Sequence, residues 1–565
     1  MVCGGTGHGL KNFQTGPAFV KPGRIYFQKK VSFMGLSLEQ QVGQKLLLSF
    51  EGKQAPSADI LQAIQEQRLA GVTLFRPFNV EDAQQLRSLN DQLQQAAQRA
   101  NLPPLLIGVD QEGGQLMAVG FGTPLPGNMA LGATDSPELA RQAGEVLGCE
   151  LAALGINLEY APVCDININP SNPVVGVRSF GEVPEQVAKL ASALLQGVQS
   201  QGVAATVKHF PGHGDTASDS HHGTPVVPHS LERLHQVEFI PFKAAIQAGV
   251  RAVMTAHLAV PAVDSITDLP ATLSSAILSG ILRQELGFEG VIITDAMDMH
   301  AIRQGSAAYL DAVCAVQAGA DLALLTQFTD QAGIYHSLVQ AVQRGLISQE
   351  RLESSTRRVL SLKNWLAGQK QPDLSMIQCA KHRQIAKDIA ERSVTLVRDE
   401  HGVLPWRPVP GQKISVVVPK PSDLTPADTS SYIHPDLAGA LRRRGVEVEE
   451  VILSINPDAQ EISQVLQAVE ESALVIIGTI NACAHAGQAS LVQAVLERGQ
   501  TCVAAALRLP YDLAYFPQAP VFLCTYSILE PAMEALADAL LGEIPCTGSL
   551  PVRIPGLYEC GARKV

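Results

Sequence analysis

Hydrophobic and polar positions fall into a repeating block along the first two thirds of the chain. A short β-branched or leucine-rich run is followed by a polar loop, then by an amphipathic stretch rich in Ala, Leu and Gln. The runs are Lys45–Phe50, Gly71–Phe75, Leu105–Asp110, Asn157–Pro162, Ala204–Phe210, Ala252–His257, Val291–Asp295 and Asp321–Thr326. Each reads as a strand, and the helical pattern between runs makes them βα units. Eight such units predict a (β/α)8 TIM barrel, with a doubly wound parallel sheet as the alternative. A helix over Gln349–Ala367 ends at Gly368. A second series then gives strands at Ile414–Val418, Val446–Leu453, Ala473–Thr479, Thr501–Leu507 and Val521–Tyr526, which predict an open α/β (αβα) sandwich. The expected division is a disordered leader over 1–33 with Met34 as a possible functional start, a catalytic barrel over 34–368, a linker over 369–384 and the sandwich over 385–565.

Composition narrows the function classes. Of 565 residues, 46% are hydrophobic and 17% charged, so sizeable cores are expected. The net charge of −12 comes without any Lys/Arg run, which speaks against a nucleic-acid partner. The 10 cysteines form no CxxC pair and read as free thiols of a reducing compartment. Neither a membrane-length apolar run nor a secretory signal stands out, so a cytoplasmic location is expected, with secretion as the alternative. With no GxGxxG or Walker sequence, no nucleotide cofactor is expected.

In a barrel, the residues that end the strands surround the active site. Here those ends are polar: Asp110 in the third run, Lys208 and His209 in the fifth, His257 in the sixth and Asp295 in the seventh. The stretch from Lys208 to His222, at the end of the fifth run and in the loop after it, holds four of the 14 histidines, His209, His213, His221 and His222. Two chemistries fit it. A metal site could draw on His209, His213, Asp215, Asp219 and His221, whereas acid/base catalysis needs one imidazole oriented by one carboxylate.

The Lys208–His221 segment, KHFPGHGDTASDSH, resembles the signature of the β-N-acetylhexosaminidases of glycoside hydrolase family 3. Thr294–Met299 (TDAMDM) resembles that family's nucleophile segment. Asp110–Gly114, Ala161–Asp165, Asn172–Gly181 and Pro270–Ser274 are similar to further family segments in the same order. The resemblance covers roughly residues 36–365, and the second domain looks like the sandwich that many members carry.

The resemblance implies a retaining exo-acting glycosidase that releases terminal N-acetylglucosamine from cell-wall or chitin-derived oligosaccharides, without cofactor or metal. Asp295 would be the nucleophile, and His221, stabilised by Asp219, the acid/base group. Asp110, Arg178, Lys208 and His209 would bind the sugar. Against these stand a helix-capping role for Asp295, His222 in place of His221, an ion-pair role for Arg178 and a structurally satisfied His209. His213 and His257 have no assigned role, and Asp165 could be a loop-fixing acid. Gln115 and Ala118 stand where many members have arginine, and the arginine matching position 118 contacts the sugar in family members. This departure bears on which sugar the pocket takes; β-glucosidase activity, phosphorolysis with an imidazole that does not repel phosphate, a metal-dependent hydrolase and a non-catalytic sugar-binding module are the alternative readings.

Overall fold

A computed structural model of the protein describes residues 36–216, 223–266, 268–299, 301–302, 307–409, 411–423 and 428–564. The expected leader lies outside these residues. Eight parallel strands close into a barrel: β1 Leu46–Leu48, β2 Gly71–Thr73, β3 Leu106–Val109, β4 Leu158–Glu159, β5 Ala204–Phe210, β6 Ala252–Thr255, β7 Val291–Ala296 and β8 Leu322–Leu325. Each strand pairs with its neighbours in sequence, and β1 pairs with β8. The closed barrel rules out the doubly wound alternative for this part of the chain.

Successive side chains on a strand point to opposite faces. Leu47, Leu106, Leu158, Ala204 and Leu324 therefore fill the interior, while Leu46, Leu48, Ile107 and Val207 pack against the surrounding helices. Inside, Tyr160 reaches β2, where its hydroxyl lies 2.7 Å from Thr73 Oγ1. Gly108 makes this possible, because a Cβ there would meet the Tyr160 hydroxyl at 2.2 Å. The helix Gln349–Leu366 closes the other end of the barrel with Val359, Leu362 and Leu366.

The C-terminal domain is a six-stranded sheet built from β9 Thr395–Asp399, β10 Ile414–Pro419, β11 Val448–Leu453, β12 Leu474–Thr479, β13 Cys502–Ala506 and β14 Val521–Cys524. Its order is β9-β14-β13-β12-β10-β11, parallel except for the antiparallel edge strand β9. The five expected strands are present, and β9 is an addition to them. Where the sequence suggested a linker over 369–384, a helix begins at Ala380 and runs to Ser393. Its His382 bonds Glu150 of the barrel at 2.9 Å.

Among the contacts of the C-terminal domain with the barrel mouth are those of Thr429 and Tyr511. Thr429, which follows β10, accepts from Met117 N and donates through its own N–H and hydroxyl to Gln115 O. Tyr511, which follows β13, accepts from Asn167 Nδ2 at 3.2 Å. A buried pair, Arg508 with Asp428, anchors the segment that carries Thr429. No helix among the described residues is long and apolar enough to cross a membrane.

Candidate active site

The strand ends bring Asp110, Glu159, Lys208, His209, His257 and Asp295 to one rim, in the order β3 to β7. Lys208 lies on β5, whose residues are all buried, and its ammonium is fixed by carboxylates of the preceding strands. Lys208 Nζ lies 2.5 Å from Asp110 Oδ1 and 2.6 Å from Glu112 Oε1. Arg178 grips Glu112 with both arms of its fork, Nε to Oε2 at 2.9 Å and Nη2 to Oε1 at 2.8 Å. Burial alone would raise the Glu112 carboxyl, but these two cations overcome it and hold the group at about 2. Burial would likewise strip the proton from Lys208, and Asp110 and Glu112 reverse that effect.

Glu159 behaves in the opposite way. It is fully buried beside this cluster, and desolvation, reinforced by Asp110 and Glu112, pushes its carboxyl well above the ordinary range. Oε1 accepts from Gln111 N at 2.9 Å, while Oε2 has no partner among the described residues. With Glu159 favouring the neutral acid, the two carboxylates Asp110 and Glu112 balance the two cations Lys208 and Arg178. The side chain of Asp110 remains 30% exposed, against 1% for Glu112, so Asp110 is the carboxylate of the pair that a ligand can reach.

His209 is set by Asp165. Its Nδ1 lies 2.7 Å from Asp165 Oδ2, and Asp165 Oδ1 accepts the N–H groups of His209 and His213 at 3.2 and 2.7 Å. Burial would raise the Asp165 carboxyl, but the two histidines hold it below the usual range. An ionised carboxylate only accepts, so Nδ1 of His209 carries a proton and Nε2 is the other ring nitrogen. His213 is buried as well. Its Nδ1 lies 2.8 Å from Thr216 Oγ1, and burial lowers its pKa, favouring the neutral ring.

Asp295 stands near the end of β7, partly open to solvent. Its Oδ1 accepts from Ala296 N at 2.8 Å. Desolvation would raise its pKa, yet His209, His257, the Ala296 N–H and Lys208 together bring it below the ordinary carboxylate range. His257 fixes the same turn from beneath, with Nε2 3.0 Å from Ala296 O and Nδ1 2.8 Å from Thr272 Oγ1. A carbonyl oxygen only accepts, so Nε2 of His257 bears a proton. The result is an ionised carboxylate at the rim of the barrel, held in one orientation beside hydrogen-bond donors. Such a group can attack an electrophilic carbon or stabilise a developing positive charge.

Of the residues expected from the sequence, Asp110, Lys208, His209, Arg178 and Asp295 all belong to this rim. Arg178 is 6% exposed, with Nε and Nη2 bound to Glu112 and Nη1 3.4 Å from Val174 O. Asp219 and His221, like His222, lie outside the described residues. The chain leaves the described part at Thr216, where Asn172 Nδ2 donates to the Thr216 carbonyl and hydroxyl. It re-enters at Gly223, and Thr224 Oγ1 donates to Ala301 O in the loop that follows β7. Both flanks of the 217–222 stretch are therefore tied to the same mouth. Sequence reasoning passed over Glu112 and Glu159 and gave His257 no role. Their signals were faint: Glu112 sits among glycines in a segment read only as a whole, and Glu159 is the second residue of a two-residue strand.

Comparisons with known proteins show the family. The family model "Glycosyl hydrolase family 3 N terminal domain" matches residues 37–362. The β-hexosaminidase A of Pseudoalteromonas piscicida is 31% identical over 590 residues, covering 92% of this chain and 97% of that protein. A solved glycoside hydrolase family 3 β-N-acetylglucosaminidase from Paenibacillus sp. str. FPU-7 is similar with a TM-score of 0.86 at 38% identity, covering 94% of this chain and 100% of that one. A solved β-glucoside phosphorylase is similar with a TM-score of 0.78 at 26% identity, covering 92% and 94% of the two chains. The chain belongs to glycoside hydrolase family 3, and with its β-hexosaminidase relatives it is a glycosidase.

Proposed function

We propose that the protein is a retaining exo-β-N-acetylhexosaminidase that works through a glycosyl-enzyme on Asp295. Asp295 attacks the anomeric carbon as the glycosidic C–O bond breaks, and His221, stabilised by Asp219, protonates the departing oxygen. His221 then takes a proton from water, whose oxygen displaces Asp295 from the sugar. Two inversions at the anomeric carbon leave the product with the configuration of the substrate.

The observation that carries this reading is the state of Asp295. It is partly accessible, fixed by Ala296 N–H, and His209, His257, that N–H and Lys208 together hold its pKa below the ordinary carboxylate range against the effect of burial. Asp110 would accept from hydroxyls of the terminal sugar, with Lys208 and His209 as neighbouring donors and Arg178 holding Glu112 behind them. The β-hexosaminidase and β-N-acetylglucosaminidase relatives favour N-acetylglucosamine as the sugar. Oligosaccharides from cell walls or chitin are the corresponding substrate class.

The test is to trap the intermediate with a slowly turned-over 5-fluoro aryl N-acetylglucosaminide and locate the adduct by peptide mass spectrometry. A glycosyl mass on the peptide containing Asp295 is expected. An adduct on another residue, or a product of inverted configuration, would overturn the assignment. Phosphorolysis is a second reading, favoured by the likeness to a β-glucoside phosphorylase and by an imidazole that does not repel phosphate as a second carboxylate would. Products formed with and without phosphate decide between the two, because only phosphorolysis yields the sugar 1-phosphate.

A further inference from the structure

Two cations of the mouth, Lys208 and Arg178, are buried and bound to carboxylates. Arg76 is placed differently. It opens the short helix Arg76–Asn79 after β2 and is half-buried. Its guanidinium lies over the ring of Tyr432 from the C-terminal domain, 4.0 Å from the ring centroid. Gly120 approaches the plane face-on: a Cβ there would fall 2.2 Å from Nη2, 2.3 Å from Cζ and 2.8 Å from Nη1. Any larger residue at 120 would expel the group. A planar fork held by a ring and a glycine is a preorganised donor.

Most of that donor is unused. Nη1 donates to Met117 O at 3.3 Å, and none of the other guanidinium N–H groups has a hydrogen-bond partner among the described residues. The nearby carboxylate, Asp423, accepts instead from the N–H and hydroxyl of Ser431, each at 2.7 Å. Arg76 is linked to the main chain of Asp110. The Met117–Ala118 peptide accepts from Arg76 through its carbonyl and donates through Ala118 N to the backbone carbonyl of Asp110 at 3.1 Å, so one peptide group lies between the Arg76 guanidinium and the Asp110 main chain. The segment 110–126 itself contains no Lys or Arg.

We propose that Arg76 is a specificity-determining residue: its open N–H groups donate to a hydroxyl of the terminal sugar on the Asp110 side of the pocket. Tyr432 and Gly120 act through it as positioning residues, which gives the C-terminal domain a part in sugar selection. The inference rests on the glycosidase reading above, with the terminal sugar seated between Asp110 and Asp295.

The experiment compares Arg76→Ala with wild type on aryl glycosides lacking the 3-, 4- or 6-hydroxyl. The series is built on whichever aryl sugar, N-acetylglucosaminide or glucoside, the wild type hydrolyses faster. Losing a hydrogen bond to a charged donor lowers kcat/KM by roughly 10- to 100-fold. Wild type should lose that factor on one of the three deoxy substrates, and Arg76→Ala should be insensitive to that same deletion. Arg76→Lys keeps the charge without the fork and should recover part of the discrimination. If wild type and Arg76→Ala lose rate equally on all three deoxy substrates, Arg76 only braces the domains and the inference is overturned. Asp295→Ala, assayed alongside, reads the catalytic assignment separately: its full activity would sink that assignment without altering the deoxy-sugar comparison.

Discussion

The two ends of the barrel solve the same problem, a buried carboxylate among cations, with different results. At the closed end, Asp321 precedes β8 and meets Arg283, Arg351 and Arg358. Arg351, Ser355 and Arg358 share one face of the helix that caps this end, at i, i+4 and i+7 spacing. Both Asp321 oxygens are saturated, with Ile292 N among the donors, and the carboxyl is held far below its ordinary range. At the mouth, Glu112 is clamped just as firmly, but the surrounding groups keep open valences: part of Asp110, part of Asp295 and most of Arg76. A network that closes on itself contributes stability. One that leaves donors and acceptors facing a cleft can act on a ligand.

The comparison is broken most directly by Asp295→Ala. Removing a nucleophile that acts with a partner acid should cut kcat by about 10^4-fold or more while the thermal midpoint stays within a few degrees of wild type. Steady-state kinetics and thermal unfolding on the same preparation check this, and near wild-type turnover would show that the mouth carboxylate is structural. Asp321→Ala is the mirror experiment. It leaves three arginines around an empty position, and breaking a buried ion cluster from one side costs about 3–5 kcal/mol. Denaturant unfolding should register that loss, while kcat per folded molecule stays unchanged. A large fall in kcat without destabilisation would erase the distinction between the two ends.

How much of this was legible in the sequence follows from the same physics. Parallel barrel strands are buried on both faces, so most appear as largely apolar runs, and the polar residues at or near the ends of four of them, Asp110, Lys208 with His209, His257 and Asp295, mark the mouth. Strand β9 was not visible because it is a five-residue antiparallel edge strand with alternate positions only partly buried. Helix Ala380–Ser393 was hidden by its polar surface, although Ile385 and Ile389 give it an apolar stripe at i, i+4. At the site, residues that end long strands, Lys208, His209 and Asp295, could be read directly. Glu112, Asp165 and His257 acquire their roles only from partners far along the chain, Arg178, His209 and Ala296. Arg76 is the extreme case: nothing in its own neighbourhood in the sequence points to Gly120 or to Tyr432 in another domain. The expected pair Asp219 and His221 lies outside the described residues, so its role rests on the resemblance and on the proposal.

The closed end also offers the smallest and most specific test. Lys363, on the capping helix, is buried with no partner for its ammonium among the described residues, and burial pulls its pKa down to about 7. Lys45 is buried nearby, with Nζ 2.5 Å from Ser355 Oγ, and burial lowers its pKa well below the ordinary lysine value too. In the unfolded chain a lysine titrates near 10.4. Between about pH 7 and 10 the unfolded state therefore binds up to one more proton at this position than the folded state, and stability rises with pH. One proton gives a slope of up to about 1.4 kcal/mol per pH unit. Lys363→Met should remove this contribution, so the variant is more stable than wild type at pH 7 and the gap narrows towards pH 10. Unfolding measured across that range at fixed ionic strength reads the difference directly. A gap that stayed constant with pH would mean that Lys363 keeps its charge in the folded state, and that the closed end, like the mouth, holds a cation whose partner the folded chain supplies.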